Sequence, residues 1–295
     1  MQTVGELYLS YIESLKRENR VRYAGMYQIS YNSFIKFNKH LDIPFIDIDT
    51  GWLKRYEQWM RSQNFAVNTI GTRLRHLRVI FNQALDMKLI TTDNYPFRAY
   101  KVSKMNQQTA KRALSKIDII NIINYKGKSE LEILAIDIFA FSYFTAGINF
   151  IDIALLKDGN IIDNRVVYYR HKTKKRIIVP LQPKAIELID KYRGGAYLFP
   201  ILSAFHKTEV QIADRLHKVL GKVNKYLKQI GKELKLPIPL TTYVARHSYA
   251  TVLKRSGVST SIISESLGHS TERITQVYLD SFGNDQMDEA MKNLL

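Results

Sequence analysis

The chain of 295 residues carries 44 Lys and Arg against 27 Asp and Glu, a formal net charge of +17, and no cysteine. The length suits two domains, the 45% hydrophobic and 24% charged content suits ordinary folded cores, and the missing cysteines exclude disulfides, thiolate nucleophiles and Cys-ligated zinc. The positive excess points to a polyanionic partner, nucleic acid above all, and names no activity.

The N-terminal "MQTVGELYLSYIESLKRE" lacks the basic-then-apolar layout of a secretory leader and reads as an amphipathic helix. Val4, Leu7, Tyr8, Tyr11, Ile12 and Leu15 recur at three and four, one apolar stripe. Ala24, Tyr27, Tyr31 and Phe34 repeat that pattern in a second helix. Asp49 is a candidate cap for a third, with Trp52, Tyr56, Trp59 and Met60 inward. Asn68 or Thr69 would cap a fourth, with Ile70, Leu74, Leu77, Phe81 and Leu85 inward. Its other faces hold Arg73, Arg75, His76 and Arg78, an all-positive surface suited to solvent or to phosphate contacts.

From Arg98 to Arg112, "RAYKVSKMNQQTAKR" has no acidic residue and no apolar periodicity. It is expected to be an exposed basic linker, placing Lys101, Lys104, Lys111 and Arg112 where a DNA backbone could release counterions on binding. The expected division is a helical domain over residues 1–97, a linker over 98–112 and a second domain over 113–295.

The second half mixes elements, so the whole reads as mainly α with a small β-sheet, an α+β chain. Helices fit residues 115–125, 130–145 and 149–156. The apolar run "LEILAIDIFAFSYFTAGINFIDIALL" carries Glu132, Asp137, Asn149 and Asp152, which fits buried core helices and no bilayer span. "RVVYYRHKTKKRIIVPL" alternates β-branched and aromatic residues about a polar centre, a hairpin with "HKTKK" at its turn. Helices are then expected at 209–230, 242–256, 259–267 and 271–280, followed by an amphipathic "DQMDEAMKNLL".

Four short pieces stand out in order: "RHKTKKR" on the hairpin, "TTYVARHSYAT" opening a helix, "LGHS" ending one, and "TQVYL", whose Tyr278 lies nine residues past His269. Singly each is weak. Together they resemble the tyrosine recombinase, or phage integrase, family, with Arg246 and His247, then Leu267, Gly268 and His269, then Tyr278 on the matching positions and Lys172 on the hairpin. The resemblance extends over nearly the whole chain. It implies a SAM-like helical core-binding domain, a basic linker, and a recombinase catalytic domain whose tail helix docks on a neighbouring subunit.

That resemblance implies a chemistry which suits these residue types. A phosphodiester anion repels nucleophiles, so cutting it needs cationic donors about the non-bridging oxygens, and arginine offers a permanently charged planar fork. A tyrosine hydroxyl, with an ordinary pKa of about 10, must lose its proton during attack, and the departing 5′ oxygen must gain one. The implied roles are Tyr278 as nucleophile, Arg246 as phosphate clamp, Lys172 as general acid, His269 as donor to the phosphate and His247 as supporting donor or proton carrier. Lys174 and Lys175 lie close enough on the turn to rival Lys172. The chemistry asks for neither metal nor ATP, and no cofactor is expected.

Two positions depart from the family pattern. "TAGINFIDIALLK" matches its first arginine box at Gly147, Asp152 and Leu156, but Asn149 stands where the arginine belongs. Arg170, two residues before Lys172, is the nearest replacement, because residues two apart on a strand share a face. Tyr243 stands where the family usually has a histidine, and can donate to phosphate without shuttling a proton near neutral pH. These boxes are similar to those of the family's Bacteroides-type branch. Many integrases of that branch carry an arm-binding domain ahead of the helical one, and a two-domain enzyme or a shortened chain both fit this start. The implied partners are double-stranded DNA, a homo-tetramer on paired sites and, where needed, accessory DNA-bending proteins. The implied location is cytoplasmic, on the nucleoid. A regulator of the same fold that binds DNA without cutting it and a type IB topoisomerase-like enzyme are the alternatives.

Overall fold

The computed structural model describes residues 2–105, 107, 112–276 and 279. They divide into two compact units at residue 109. No helix among the described residues is long and apolar enough to cross a membrane.

The first unit is built from α1 (Val4–Arg17), α2 (Val21–Asn38), α3 (Thr50–Ser62) and α4 (Val67–Asp86). A capping box starts α1, in which the Thr3 hydroxyl accepts from the Glu6 amide and the Glu6 carboxylate accepts from the Thr3 amide. Asp49 caps α3 by accepting from Trp52 N at 2.6 Å. The apolar stripes meet in a core rich in aromatic rings, with Tyr8, Tyr27, Phe34, Tyr56 and Phe81 fully buried.

Three expectations change here. The cap of α4 is Ala66, not Asn68 or Thr69, because the Asn68 side chain is taken up by both backbone groups of Gln107. His76 is buried rather than outward, hydrogen-bonded to Ser30 Oγ at 2.8 Å and stacked on Tyr27. Residues 98–105 are not an exposed linker. Tyr100, Val102 and Met105 are buried in the first unit's core, and a Cβ on Gly71 of α4 would meet the Met105 carbonyl at 2.7 Å. These anchors flank short 3-10 turns over 96–98 and 102–104, whose spacing matches neither a helix nor a strand.

The second unit holds α5 (Lys116–Ile123), α6 (Glu130–Phe144), α7 (Phe150–Leu155), β1 (Ile161–Ile162), β2 (Arg165–Tyr169), β3 (Arg176–Pro180), α8 (Pro183–Tyr192), α9 (Glu209–Glu233), α10 (Thr242–Arg255), α11 (Thr260–Ser266) and α12 (Glu272–Gln276). The strands form one antiparallel sheet in the order β1-β2-β3, with Tyr168 opposite Ile177 and Tyr169 opposite Arg176. α6 is apolar on nearly every side and lies at the centre, packed by α8, α9 and α10. β1 and α8 were not anticipated. β1 is two residues long, and α8 starts directly on Pro183, with Ala185, Leu188 and Ile189 as its buried stripe.

Burial, with Arg75 as a lesser cause, lowers the His76 pKa to about 4. The unfolded chain therefore binds more protons there between pH 6.5 and 4, and stability falls as pH falls through that window. By linkage, His76 alone should remove about 3 kcal/mol between pH 7 and pH 4. Urea unfolding followed at both pH values should show that loss in the native chain and a smaller one in His76→Asn.

Candidate active site

The "LGH" triplet is the hub of the second unit. α11 ends on Leu267, and Gly268 then takes a left-handed φ of 64°. Gly268 N donates to Glu265 O and His269 N to Ser264 O, a Schellman close. A side chain at 268 would be strained by that φ and would run into Ile177 of β3 at 2.5 Å. This turn leaves the carbonyls of 267, 268 and 269 facing away from the helix.

Each of those three carbonyls receives a cation. Arg246 of α10 donates Nη2 to Leu267 O, Arg170 donates Nη1 to Gly268 O at 3.1 Å, and Lys175 Nζ reaches His269 O at 3.4 Å. Arg246 also donates Nη1 to Gly147 O at 2.8 Å and Nη2 to His269 Nε2 at 3.1 Å. Gly147 has a φ of 65°, and a Cβ there would stand 2.8 Å from Arg246 Cα, so the backbone after α6 must be bare to pass α10. On its far side the His269 ring meets Thr275 of α12, Nδ1 to Oγ1 at 2.8 Å.

Both guanidiniums are buried, Arg170 at 8% exposure and Arg246 at 2%. Arg170 makes no ion pair among the described residues, and its Nε is buried there without a hydrogen-bond partner. The His269 pKa falls to about 4, first through burial, then through Arg246, Arg170, Lys175 and Lys172 in that order. The pocket is thus shaped and charged for an anion.

The hairpin turn is where the sequence argument needs correcting. β2 stops at Tyr169, so Arg170 and Lys172 do not alternate on one strand. Arg170 points into the pocket, while Lys172 stands exposed on the turn. Arg170 N pairs with Lys175 O, and Asp152 of α7 accepts from His171 N at 2.8 Å, which pins the turn from beneath. Asn149 caps α7 with its backbone only, and its side chain makes no capping bond. Along α10, His247 is buried and Tyr243 is 40% exposed, their rings edge to face at 4.8 Å. Tyr278 and the tail segment lie outside the described residues.

Of the residues expected to touch DNA, Arg78, Lys101, Lys104 and Arg112 are exposed, and Lys111 lies outside the described residues. Arg75 donates to Thr72 Oγ1 on its own helix. Arg73 is turned inward, donating to Ser33 Oγ and lying over the Phe65 ring, which leaves it little reach for phosphate. A basic stripe on α9 went unread. Lys218, Lys222, Lys225, Lys228 and Lys232 are exposed, and no acidic residue interrupts Arg215 to Lys232. Its helical spacing was visible in the sequence, whereas Thr275 gave no signal beyond being polar.

Gly147→Ala should cost about 2 kcal/mol or more, from the left-handed φ and the clash at Arg246. Urea unfolding should register the loss, and an unchanged midpoint would contradict this packing.

Residues 3–118 match the model of the phage integrase SAM-like domain, and residues 143–284 match the phage integrase family. A tyrosine recombinase of Pseudothermotoga lettingae is 24% identical over 97% of this chain and 96% of that protein. Another, of Agathobacter rectalis, is 29% identical over 49% of this chain, a match spanning 47% of that protein. The fold is similar to that of the Tn1549 transposon integrase in complex with a circular intermediate DNA, at 16% identity and a TM-score of 0.71, covering 99% of this chain and 100% of that one. With its two halves matched in order and the arginine, LGH and hairpin elements gathered in one pocket, this chain belongs to the tyrosine recombinase (phage integrase) family.

Proposed function

We propose that the chain is a site-specific DNA recombinase that cuts and rejoins strands through Tyr278. The Tyr278 hydroxyl gives up its proton and its oxygen bonds to the scissile phosphorus. The bond from phosphorus to the 5′ oxygen breaks, and that oxygen leaves as a hydroxyl after taking a proton from Lys172. The 3′-phosphotyrosyl link preserves the bond for rejoining to another 5′ hydroxyl, with no metal or nucleotide needed.

The observation that carries this reading is the meeting of two buried guanidiniums on the LGH turn. Arg246 clamps one non-bridging oxygen, and Arg170 supplies the second cationic fork that Asn149 cannot. His247 and Tyr243 support the phosphate from α10. The double-stranded DNA lies against exposed basic residues, Arg78, Lys101, Lys104 and Arg112 with the α9 lysines, whose ladder from Lys218 to Lys232 spans about 21 Å at 1.5 Å per residue. Exchange of four strands calls for four protomers on two paired sites, with accessory DNA-bending proteins where the site requires them, and places the enzyme on the nucleoid. Asn149 favours one rival, a protein that binds DNA without cutting it; Arg170 weighs against it.

Covalent trapping separates the two. Nicked suicide duplexes made from DNA flanking the gene should yield a denaturation-resistant adduct that disappears in Tyr278→Phe. A clear footprint without an adduct would favour the binding-only protein. Arg170→Ala should slow adduct formation roughly a hundredfold or more, the usual cost of removing one transition-state donor. Lys172→Ala should slow it about 10²- to 10⁴-fold. A duplex with sulfur at the bridging 5′ position, whose thiolate leaves without a proton, should restore Lys172→Ala; restoration of Lys175→Ala in its place would move the acid to that residue.

A further inference from the structure

Arginine carries only hydrogen-bond donors. The 3.1 Å approach of Arg246 Nη2 to His269 Nε2 therefore requires a lone pair on Nε2. An imidazolium has none, so the ring is neutral and its one proton sits on Nδ1. There, Thr275 Oγ1 stands at 2.8 Å to accept it, and Thr275 is 0% exposed, so no bulk water competes for the bond. We propose that Thr275 is a positioning residue that holds His269 in the Nδ1-protonated tautomer, so that Nε2 accepts from Arg246 and aims its guanidinium at the phosphate.

This inference rests on the recombinase reading and revises one role within it. His269 was expected to donate to the phosphate; in this arrangement it acts through Arg246. The four cations around it keep the ring neutral through the physiological range. Thr275 lies three residues before Tyr278 in the chain, so one hydroxyl links the phosphate clamp to the segment that leads into the nucleophile. Removing that hydroxyl leaves a buried N–H facing a methyl group. The imidazole then gains by moving its proton to Nε2, which turns donor against donor at Arg246 and displaces the guanidinium.

The test uses the full chain with Thr275→Val, close in shape but without the hydroxyl, and Thr275→Ser, which restores it. Ring-nitrogen NMR of the ¹⁵N-labelled protein reads the tautomer directly, and with seven histidines the His269 signals are assignable by His269→Gln. The native ring should carry its proton on Nδ1 from pH 5 to pH 8. Thr275→Val should lose that single form and slow the phosphotyrosyl adduct by about tenfold to a hundredfold while its footprint on DNA is retained, and Thr275→Ser should restore both. A proton on Nε2 in the native protein would overturn the proposal. So would a Thr275→Val protein that forms adduct at the native rate, or one that is slow with its tautomer unchanged. Absence of any Tyr278-dependent adduct would instead sink the recombinase reading, and the tautomer measurement would still decide this one.

Discussion

Everything in the second unit is arranged around three consecutive carbonyls at the end of α11, each accepting from a cation on a different element or hairpin position. α10 brings Arg246, the start of the hairpin turn brings Arg170 and its end brings Lys175. Burying positive charge costs several kcal/mol per ion unless it is compensated. The helix-end carbonyls offset part of that cost, since the C-terminal end of a helix is the negative end of its dipole. They are neutral acceptors, however, and cannot cancel two guanidinium charges. The remainder is made good only when an anion enters, which turns a folding liability into affinity for a phosphodiester.

The surroundings follow from holding those carbonyls in place. Gly268 must be glycine both for its φ and for its approach to Ile177, and Gly147 must be glycine for the passage of Arg246. Asp152 fixes the amide of His171 so that the turn after β2 sends Arg170 inward while the lysines after it stay outside. A buried carboxylate near two guanidiniums would be expected to pair with them. This one is tied to a backbone amide instead, which leaves the cations for substrate.

Much of this was legible before any coordinates. The four helices of the first unit, the hairpin and the order of Arg246, His269 and Tyr278 could be read from apolar period and motif spacing. The errors have physical causes. Tyr100, Val102 and Met105 sit on irregular backbone that no periodicity describes, so a docked segment read as a linker. His76 reads as a surface cation by type, but its partners Ser30 and Tyr27 come from another helix, which only tertiary packing reveals. Arg170 was chosen for a strand alternation that the backbone does not have, since β2 ends one residue earlier. It is in the pocket because of the turn. The bond between His269 and Thr275 depends on where α12 lands, and the sequence contains nothing that sets it.

The central claim is that Arg170 and Arg246 work by neutralising the charge of the scissile phosphate. Replacing that phosphate with a methylphosphonate removes the charge and leaves the reacting atoms in place, so the sharpest measurement is the rate of tyrosyl adduct formation on both substrates by the native chain, Arg170→Ala and Arg246→Ala. If the account holds, the defect of Arg170→Ala on the phosphodiester largely disappears on the methylphosphonate. A defect of equal size on both would mean that Arg170 only props the LGH turn, and that the cation missing at Asn149 has no replacement in this pocket.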